Sequence, residues 1–150
     1  CRLASELAGA PAEIKSELEI YGFNLGLVFQ IVDDLLDLKG ETRDTGKSRF
    51  SDLREGRITL PLIRAIKTWP EEQKKKVAGW LKRRHGEWPE PVVSFNDFLL
   101  ELETGGALGS SLKTAEKLAE RAKACLAKLE ASPYQESLIK LTEFVLKREK

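Results

Sequence analysis

Four polar residues in the first third of the chain have the types and spacing suited to cation chemistry. Gln30, Asp33, Asp34 and Asp37 lie three and four residues apart, which predicts one polar stripe along the face of an α-helix. Two carboxylates about 6 Å apart repel by less than about 1 kcal/mol in water but by roughly 3 kcal/mol at an effective dielectric near 20. A partly buried stripe would therefore need a counter-charge, which a divalent cation can supply.

The ligand atoms of this stripe favour magnesium. Asp33, Asp34 and Asp37 offer hard oxygen ligands, with no histidine or cysteine close by in the sequence, and such sites suit Mg²⁺ better than zinc or copper. Magnesium usually keeps several waters and shares its coordination with substrate phosphates. We therefore expect a diphosphate-bearing ligand, whose oxygens would accept hydrogen bonds from basic side chains. The candidate basic residues after the stripe are Lys47, Arg49, Arg54 and Arg57.

A solvated acidic helix face is the alternative interpretation of the motif DDLLD, because short motifs of this kind often occur without a function. Each basic residue, taken singly, is likewise compatible with a solubilising role at the surface. Hydrophobic residues surround the motif on the same predicted helix, however, and a fully solvated face is not expected there. They are Val28, Phe29, Ile31, Val32, Leu35 and Leu36. The combination favours a binding site over a solvated surface.

The stripe belongs to a long predicted helix. Apolar residues recur at spacings of three and four from about Glu13 to Leu38, which is typical of a helix with one face in the core. The segment KGETRDTGKSRFS that follows loses this periodicity, and loops of such length are commonly functional. Later helices include one from about Ala107 to Glu130 and a last one from Tyr134 to Lys147, with Leu141 facing inward. No alternating strand pattern competes, so the sequence predicts an all-α fold.

Composition excludes several functional classes. The 150 residues hold 25 basic and 24 acidic side chains, so no net field attracts nucleic acid or an anionic membrane. No apolar run approaches the ~20 residues that span a bilayer, and the N-terminal residues lack the layout of a signal peptide. We therefore expect a cytoplasmic chain that is not an integral membrane protein. Because it begins at Cys1 within a helical pattern and contains no methionine, we expect it to be an excerpt.

The stretch FQIVDDLLDLKGETRDTGKSRFSDLREGRITLPLI closely resembles the second aspartate-rich region of the trans-type polyprenyl diphosphate synthases. The shared positions, in the order and spacing of that family, are Phe29-Gln30, Asp33 to Asp37, Gly46-Lys47, Ser51-Asp52, Glu55-Gly56 and Thr59-Leu60-Pro61. A weaker resemblance continues to the C-terminus. It implies a helical bundle of the isoprenoid synthase type, of which residues 1–150 are the C-terminal half, without the half that carries the first aspartate-rich motif.

The resemblance also implies an activity: the Mg²⁺-dependent, head-to-tail condensation of an allylic diphosphate with isopentenyl diphosphate. By position, Asp33 would be the most direct magnesium ligand, with Asp34 and Asp37 supporting it through waters or orientation. Lys47 would hold the allylic diphosphate, which makes Asp33 and Lys47 the catalytic candidates. 

Further positions that match the family imply contacts with the substrates. Phe29 and Gln30 would border the reacting isoprenoid chains. Arg57, which stands where the family commonly has lysine, would bind substrate with an altered donor geometry. The terminal residues Arg148 to Lys150 would help to close the isopentenyl diphosphate site.

Half of the metal site expected from the family is absent from this sequence. We therefore expect the chain to be inactive alone, as a remnant of a full enzyme or one piece of a split enzyme. The alternatives are a noncatalytic subunit with the same fold and a metal-binding interaction module. Apolar faces left without their partner half predict self-association into a homo-oligomer, or association with that missing half.

Overall fold

The computed structural model describes residues 1–39, 50–82 and 95–148. Within those ranges the regular elements are all helices and no strand occurs, so the predicted all-α fold is confirmed. In chain order they are α1 (Arg2–Leu7), α2 (Ala12–Lys39), α3 (Ser51–Arg54), α4 (Leu60–Thr68), α5 (Glu71–Leu81), α6 (Phe95–Thr104), α7 (Ala107–Leu126) and α8 (Pro133–Lys147). None of the described helices is both long enough and apolar enough to cross a membrane.

The helices form two compact units. Unit one comprises Cys1–Val32 and Lys113–Glu149, and unit two comprises Asp33–Leu112 with Lys150. Helix α2, which follows Pro11 and matches the predicted long helix within one residue at each end, contributes to both. Helix α7 is likewise shared between the units.

The core of unit one is built on Tyr21. This residue is fully buried together with Ala122 and Leu126 of α7, and Leu138 of α8 packs against the cluster. The small side chain of Ala122, at 0% exposure, leaves room for the tyrosine ring. Helix–helix packing of this kind is what the three-and-four spacing of apolar residues dictates.

Helix α7 ends earlier than its periodicity predicts, at Leu126 instead of Glu130. The side-chain amide of Gln135 donates hydrogen bonds to the carbonyl oxygens of Leu126 at 2.8 Å and Leu129 at 3.1 Å. Ser132 then caps α8 by accepting a hydrogen bond from the Gln135 N–H at 3.2 Å. Gln135 thus satisfies carbonyls that a longer α7 would have used, and the predicted boundary is wrong.

The periodicity of α8 places Leu138, Leu141, Val145 and Leu146 on the inward face, and this prediction is confirmed at Val145 and wrong at Leu141. Val145 is buried, whereas Leu141 is 43% exposed. Both residues line a groove of unit one, whose walls leave the outer part of the Leu141 side chain open.

Unit two is centred on the buried ring of Phe98 in α6. The rings of Phe50, Trp69 and Trp80 approach it edge-on or tilted, with centroids 5.6–5.9 Å away. Such geometry is the favoured one for aromatic pairs. Phe50 adopts a left-handed backbone, with φ of 62°, immediately before α3, so its fully buried ring lies at a bend of the chain.

Candidate functional site

The aspartate stripe lies on the last turns of α2, as predicted, but its three carboxylates differ in exposure. Asp33 is exposed, whereas Asp34 is 7% and Asp37 is 9% exposed. Asp33 is therefore the aspartate of the stripe that is open to a ligand. The two others are buried.

Asp37 contacts the start of α3. Its Oδ1 accepts hydrogen bonds from the Ser51 N–H at 3.1 Å and from the Ser51 hydroxyl, and its Oδ2 accepts one from the Asp52 N–H at 3.2 Å. The backbone carbonyl of Asp37 also accepts from the Phe50 N–H at 3.1 Å. The chain thus returns to α2 directly at the residues that begin α3.

Asp52 adds a further carboxylate beside the three of the stripe. Burial, with the Asp37 carboxylate as the next largest cause, raises the pKa of Asp52, and Asp33 adds to the same effect. The Arg57 guanidinium opposes this shift, since its Nη1 donates to Asp52 Oδ1 at 2.9 Å. The result is a patch of negative charge in unit two in which Asp52 pairs with the Arg57 guanidinium.

Arg57 is one of the predicted substrate-binding residues, and the structure places it beside carboxylates. Its Nη1 pairs with Asp52 and its Nη2 with Glu55, while the side chain stays 65% exposed. A guanidinium in this position can reach solvent and still hold both partners, because its donors point in several directions. Its role toward substrate stays a prediction.

Lys47, with Gly46 and Arg49, falls in 40–49 and lies outside the described residues. Its assigned grip on the allylic diphosphate also stays a prediction. The described chain does show what flanks this segment: α2 ends at Lys39 before it, and Phe50 follows it.

Phe29 and Gln30 lie in unit one, and both are exposed. The Phe29 ring is 45% exposed, and the guanidinium carbon of Arg148 lies 4.7 Å from the ring centroid, within range for a cation–π contact. Phe29 also lines an open groove of about 640 Å³ whose walls include Phe23, Leu141 and Phe144. Phe29 therefore faces apolar space, as a residue that borders a hydrocarbon chain would.

The donor set fits magnesium only in part. Among residues 1–39, 50–82 and 95–148, no group of three or more His, Cys, Asp or Glu is arranged so that it could hold a metal ion. The oxygens of Asp37 already accept hydrogen bonds from the chain, whereas Asp33 is exposed. One or two protein carboxylates with waters and phosphates are enough for Mg²⁺, so Asp33 remains a suitable ligand within a shared coordination shell.

Two features of the site were not predicted from the sequence. One is Ser51, whose N–H and hydroxyl both donate to the Asp37 carboxylate, whereas the sequence indicated only that this position is shared with the family. The other is the contact between Arg148 and Phe29, which lie 119 positions apart and share no local pattern. Long-range pairs of this kind require the fold before they can be recognised.

Solved structures share the arrangement of helices described above. A polyprenyl synthase from Roseobacter denitrificans gives a TM-score of 0.80 at 34% identity, over 99% of this chain and 46% of its own. A polyprenyl synthase from Caulobacter crescentus, complexed with calcium and isoprenyl diphosphate, gives a TM-score of 0.76 at 33% identity, over 95% of this chain and 42% of its own. The fold is that of the isoprenoid synthases.

Sequence comparison identifies the family to which this chain belongs among proteins with the isoprenoid synthase fold. The family model described as Polyprenyl synthetase matches residues 1–92, and the chain belongs to that family. It is 33% identical over 145 residues to the octaprenyl diphosphate synthase of Escherichia coli, covering 96% of this chain and 43% of that protein. It is 35% identical over 147 residues to a prenyl transferase of Synechocystis sp., covering 98% and 43%. The chain thus spans less than half the length of these curated relatives.

Proposed function

We propose that this chain supplies part of the active site of a prenyltransferase that condenses an allylic diphosphate with isopentenyl diphosphate, head to tail, with Mg²⁺ as cofactor. The observation that carries the proposal is the exposed carboxylate of Asp33, beside two buried aspartates, in a chain of the polyprenyl synthetase family. The Caulobacter relative was solved with calcium and isoprenyl diphosphate, which supports a divalent metal and a diphosphate for this chain as well.

The chain covers about 43% of its curated relatives, and we propose that it needs a further part to be active. That part would be the half that carries the first aspartate-rich motif in this family, whether it comes from the same polypeptide or from another. Association with it, or with a second copy of this chain, is the expected assembly.

Asp33 is the residue that would bind the metal directly, since its carboxylate is the exposed one. When bound, the metal would act as a Lewis acid toward the diphosphate. Lys47 would hold the same diphosphate through its ammonium group, and Arg57 would add a second cation while it stays close to Asp52. Phe29 and Gln30 would border the isoprenoid chains.

The chemistry requires stabilised charge and no nucleophilic side chain. The C–O bond of the allylic diphosphate breaks, and its electron pair leaves with the diphosphate. The double bond of isopentenyl diphosphate supplies the pair for the new C–C bond, and transfer of a proton to the released diphosphate then restores a double bond. Basic side chains would stabilise the charge that develops on the leaving oxygens, and apolar residues such as Phe29 would keep water away from the carbocation.

Calorimetry of an allylic diphosphate with the purified chain, with and without Mg²⁺, tests this proposal. We expect binding that requires magnesium and falls at least tenfold in Asp33→Ala and in Lys47→Ala. Glu116→Ala and Lys117→Ala remove the same kinds of charge at exposed positions of α7 and should leave binding unchanged. Turnover should then appear when the half with the first motif is added.

Two results would contradict the proposal. If magnesium binds equally well with and without diphosphate, the chain behaves as a metal-binding interaction module. If diphosphate binds but added upstream half gives no turnover, the chain is a noncatalytic subunit with the same fold.

A further inference from the structure

The carboxylate of Asp37 accepts three hydrogen bonds from its own chain. Within hydrogen-bonding distance of its two oxygens lie the Ser51 N–H at 3.1 Å, the Ser51 hydroxyl and the Asp52 N–H at 3.2 Å. All three donors belong to residues 14 and 15 positions further along the chain. A carboxylate with about four lone-pair positions that already accepts three bonds has little capacity left for a cation.

These donors are the ones that the beginning of α3 leaves unpaired. The first N–H groups of any helix lack partners within it, and the residue at the N-cap position of α3 is Phe50, whose side chain has no hydrogen-bonding atom and makes no cap. Asp37 therefore does from α2 what a local Ser, Asp or Asn normally does.

The space beside Asp37 and Asp52 is small. It measures about 10 Å³, and its lining also includes Arg57, Thr59 and apolar residues, which leaves room for about one water molecule. A diphosphate is too large for this volume. A ligand of unit two would instead reach the exposed carboxylate of Asp33.

We infer that Asp37 is a positioning residue rather than a metal ligand: it caps α3 across the chain and thereby fixes Ser51 and Asp52 beside the aspartate stripe. The inference rests on the proposed function for its consequence, because Asp52, whose N–H Asp37 binds, belongs to the same unit as Asp33. The two outer aspartates of the motif DDLLD then have different roles: Asp33 binds the ligand and Asp37 stabilises the fold.

Thermal unfolding in EDTA separates the two roles without any ligand. A cap stabilises the metal-free fold, so Asp37→Ala should lower Tm by about 2–6 °C, and Ser51→Ala should lower it in the same direction by a smaller amount. A carboxylate that serves only to bind metal repels its neighbours when metal is absent, so its removal would leave Tm unchanged or raise it. That result in Asp37→Ala, with no change in Ser51→Ala, would overturn the inference.

The second measurement is a magnesium titration in the presence of diphosphate. Asp37→Asn suits it, because the asparagine keeps one oxygen that can accept a hydrogen bond from Ser51. We expect this variant to retain magnesium affinity within about threefold, while Asp33→Asn loses at least tenfold. Equal losses in the two variants would make Asp37 a ligand and reject the positioning role. A wild-type chain that binds no diphosphate would count against the proposed function alone, since the melting experiment in EDTA still tests the cap.

Discussion

The hydroxyl of Tyr21 on α2 donates a hydrogen bond to the backbone carbonyl of Leu138 on α8, across 3.1 Å and 117 positions of sequence. The tyrosine ring is fully buried, and its oxygen also lies 3.5 Å from the Thr142 hydroxyl. One side chain therefore joins the first long helix of unit one to the last helix through both packing and polar contact.

Tyr21→Phe should lower the free energy of unfolding by about 0.5–1.5 kcal/mol, the usual net contribution of a hydrogen bond. We expect the lower half of this range, because the Leu138 carbonyl keeps a second donor in Thr142 at 2.9 Å. Tyr134 is 83% exposed, so Tyr134→Phe is the matched control and should change stability by much less. Urea unfolding followed by circular dichroism measures both, and equal effects would contradict the role of the Tyr21 hydroxyl.

Ala122→Leu should destabilise the chain by about 1–3 kcal/mol, since it forces three carbon atoms into a packed core. Ala122 is 0% exposed within the Tyr21 cluster. Ala124 lies on the exposed side of the same helix, where Leu also has good helix propensity, so Ala124→Leu should be nearly neutral. The same urea measurement would show the prediction to be wrong if the Ala122 variant were as stable as the Ala124 variant.

Burial, helped by the neighbouring Glu17 carboxylate, raises the pKa of the Cys125 thiol above its ordinary value of 9.0. A raised pKa leaves less thiolate at a given pH, so iodoacetamide should alkylate Cys125 more slowly in the folded chain than in urea. Cys1→Ser removes the exposed thiol and isolates this reaction. An alkylation rate that urea does not increase would contradict the protection of the buried Cys125 thiol.

The same shift affects stability only at alkaline pH. Because the folded-state pKa is raised, the stabilisation is fully present below the unfolded-state pKa and is lost as pH rises through the folded-state value. Above about pH 9 the free energy of unfolding of the wild type should therefore fall more steeply with pH than that of Cys125→Ala. If the two proteins lost stability in parallel, the Cys125 thiol would not contribute to the pH dependence.

Glu55→Gln should strengthen magnesium-dependent binding of diphosphate, because it removes one of the two carboxylates that pair with Arg57. We expect a gain of about two- to fivefold at low salt, which high salt should suppress. Glu72→Gln removes an exposed charge elsewhere in unit two and should have a smaller effect. If Glu55→Gln weakens binding instead, Arg57 depends on Glu55 for its position, and its direct role toward substrate is disfavoured.

Local patterns were enough to predict the helices that pack through a regular apolar face. Helix α2 extends over Ala12–Lys39 and α8 over Pro133–Lys147, within one residue of the periodic segments. The end of α7 was mispredicted because the carbonyl of Leu126 accepts from Gln135, a side chain that belongs to the next helix. Periodicity reports which residues face the core and carries no information about such a contact.

The candidate site was predictable in its composition and less so in its arrangement. Spacing alone placed Asp33 and Asp37 on one face, yet one is exposed and the other is held by Ser51. The difference arises because a segment distant in sequence folds back onto one end of the stripe. Two aspartates of the same motif therefore have different environments, because Ser51 and Asp52, which lie outside the motif, donate hydrogen bonds to Asp37.

Phe50 combines a left-handed backbone with a fully buried aromatic ring. Protein engineers often replace a non-glycine residue at positive φ by glycine, which removes strain of about 1–2 kcal/mol. At position 50 this rule would give the wrong sign, because loss of the ring beside Phe98 costs about 3–5 kcal/mol. A stabilised variant of this chain should keep the aromatic residue and seek its gains at surface positions.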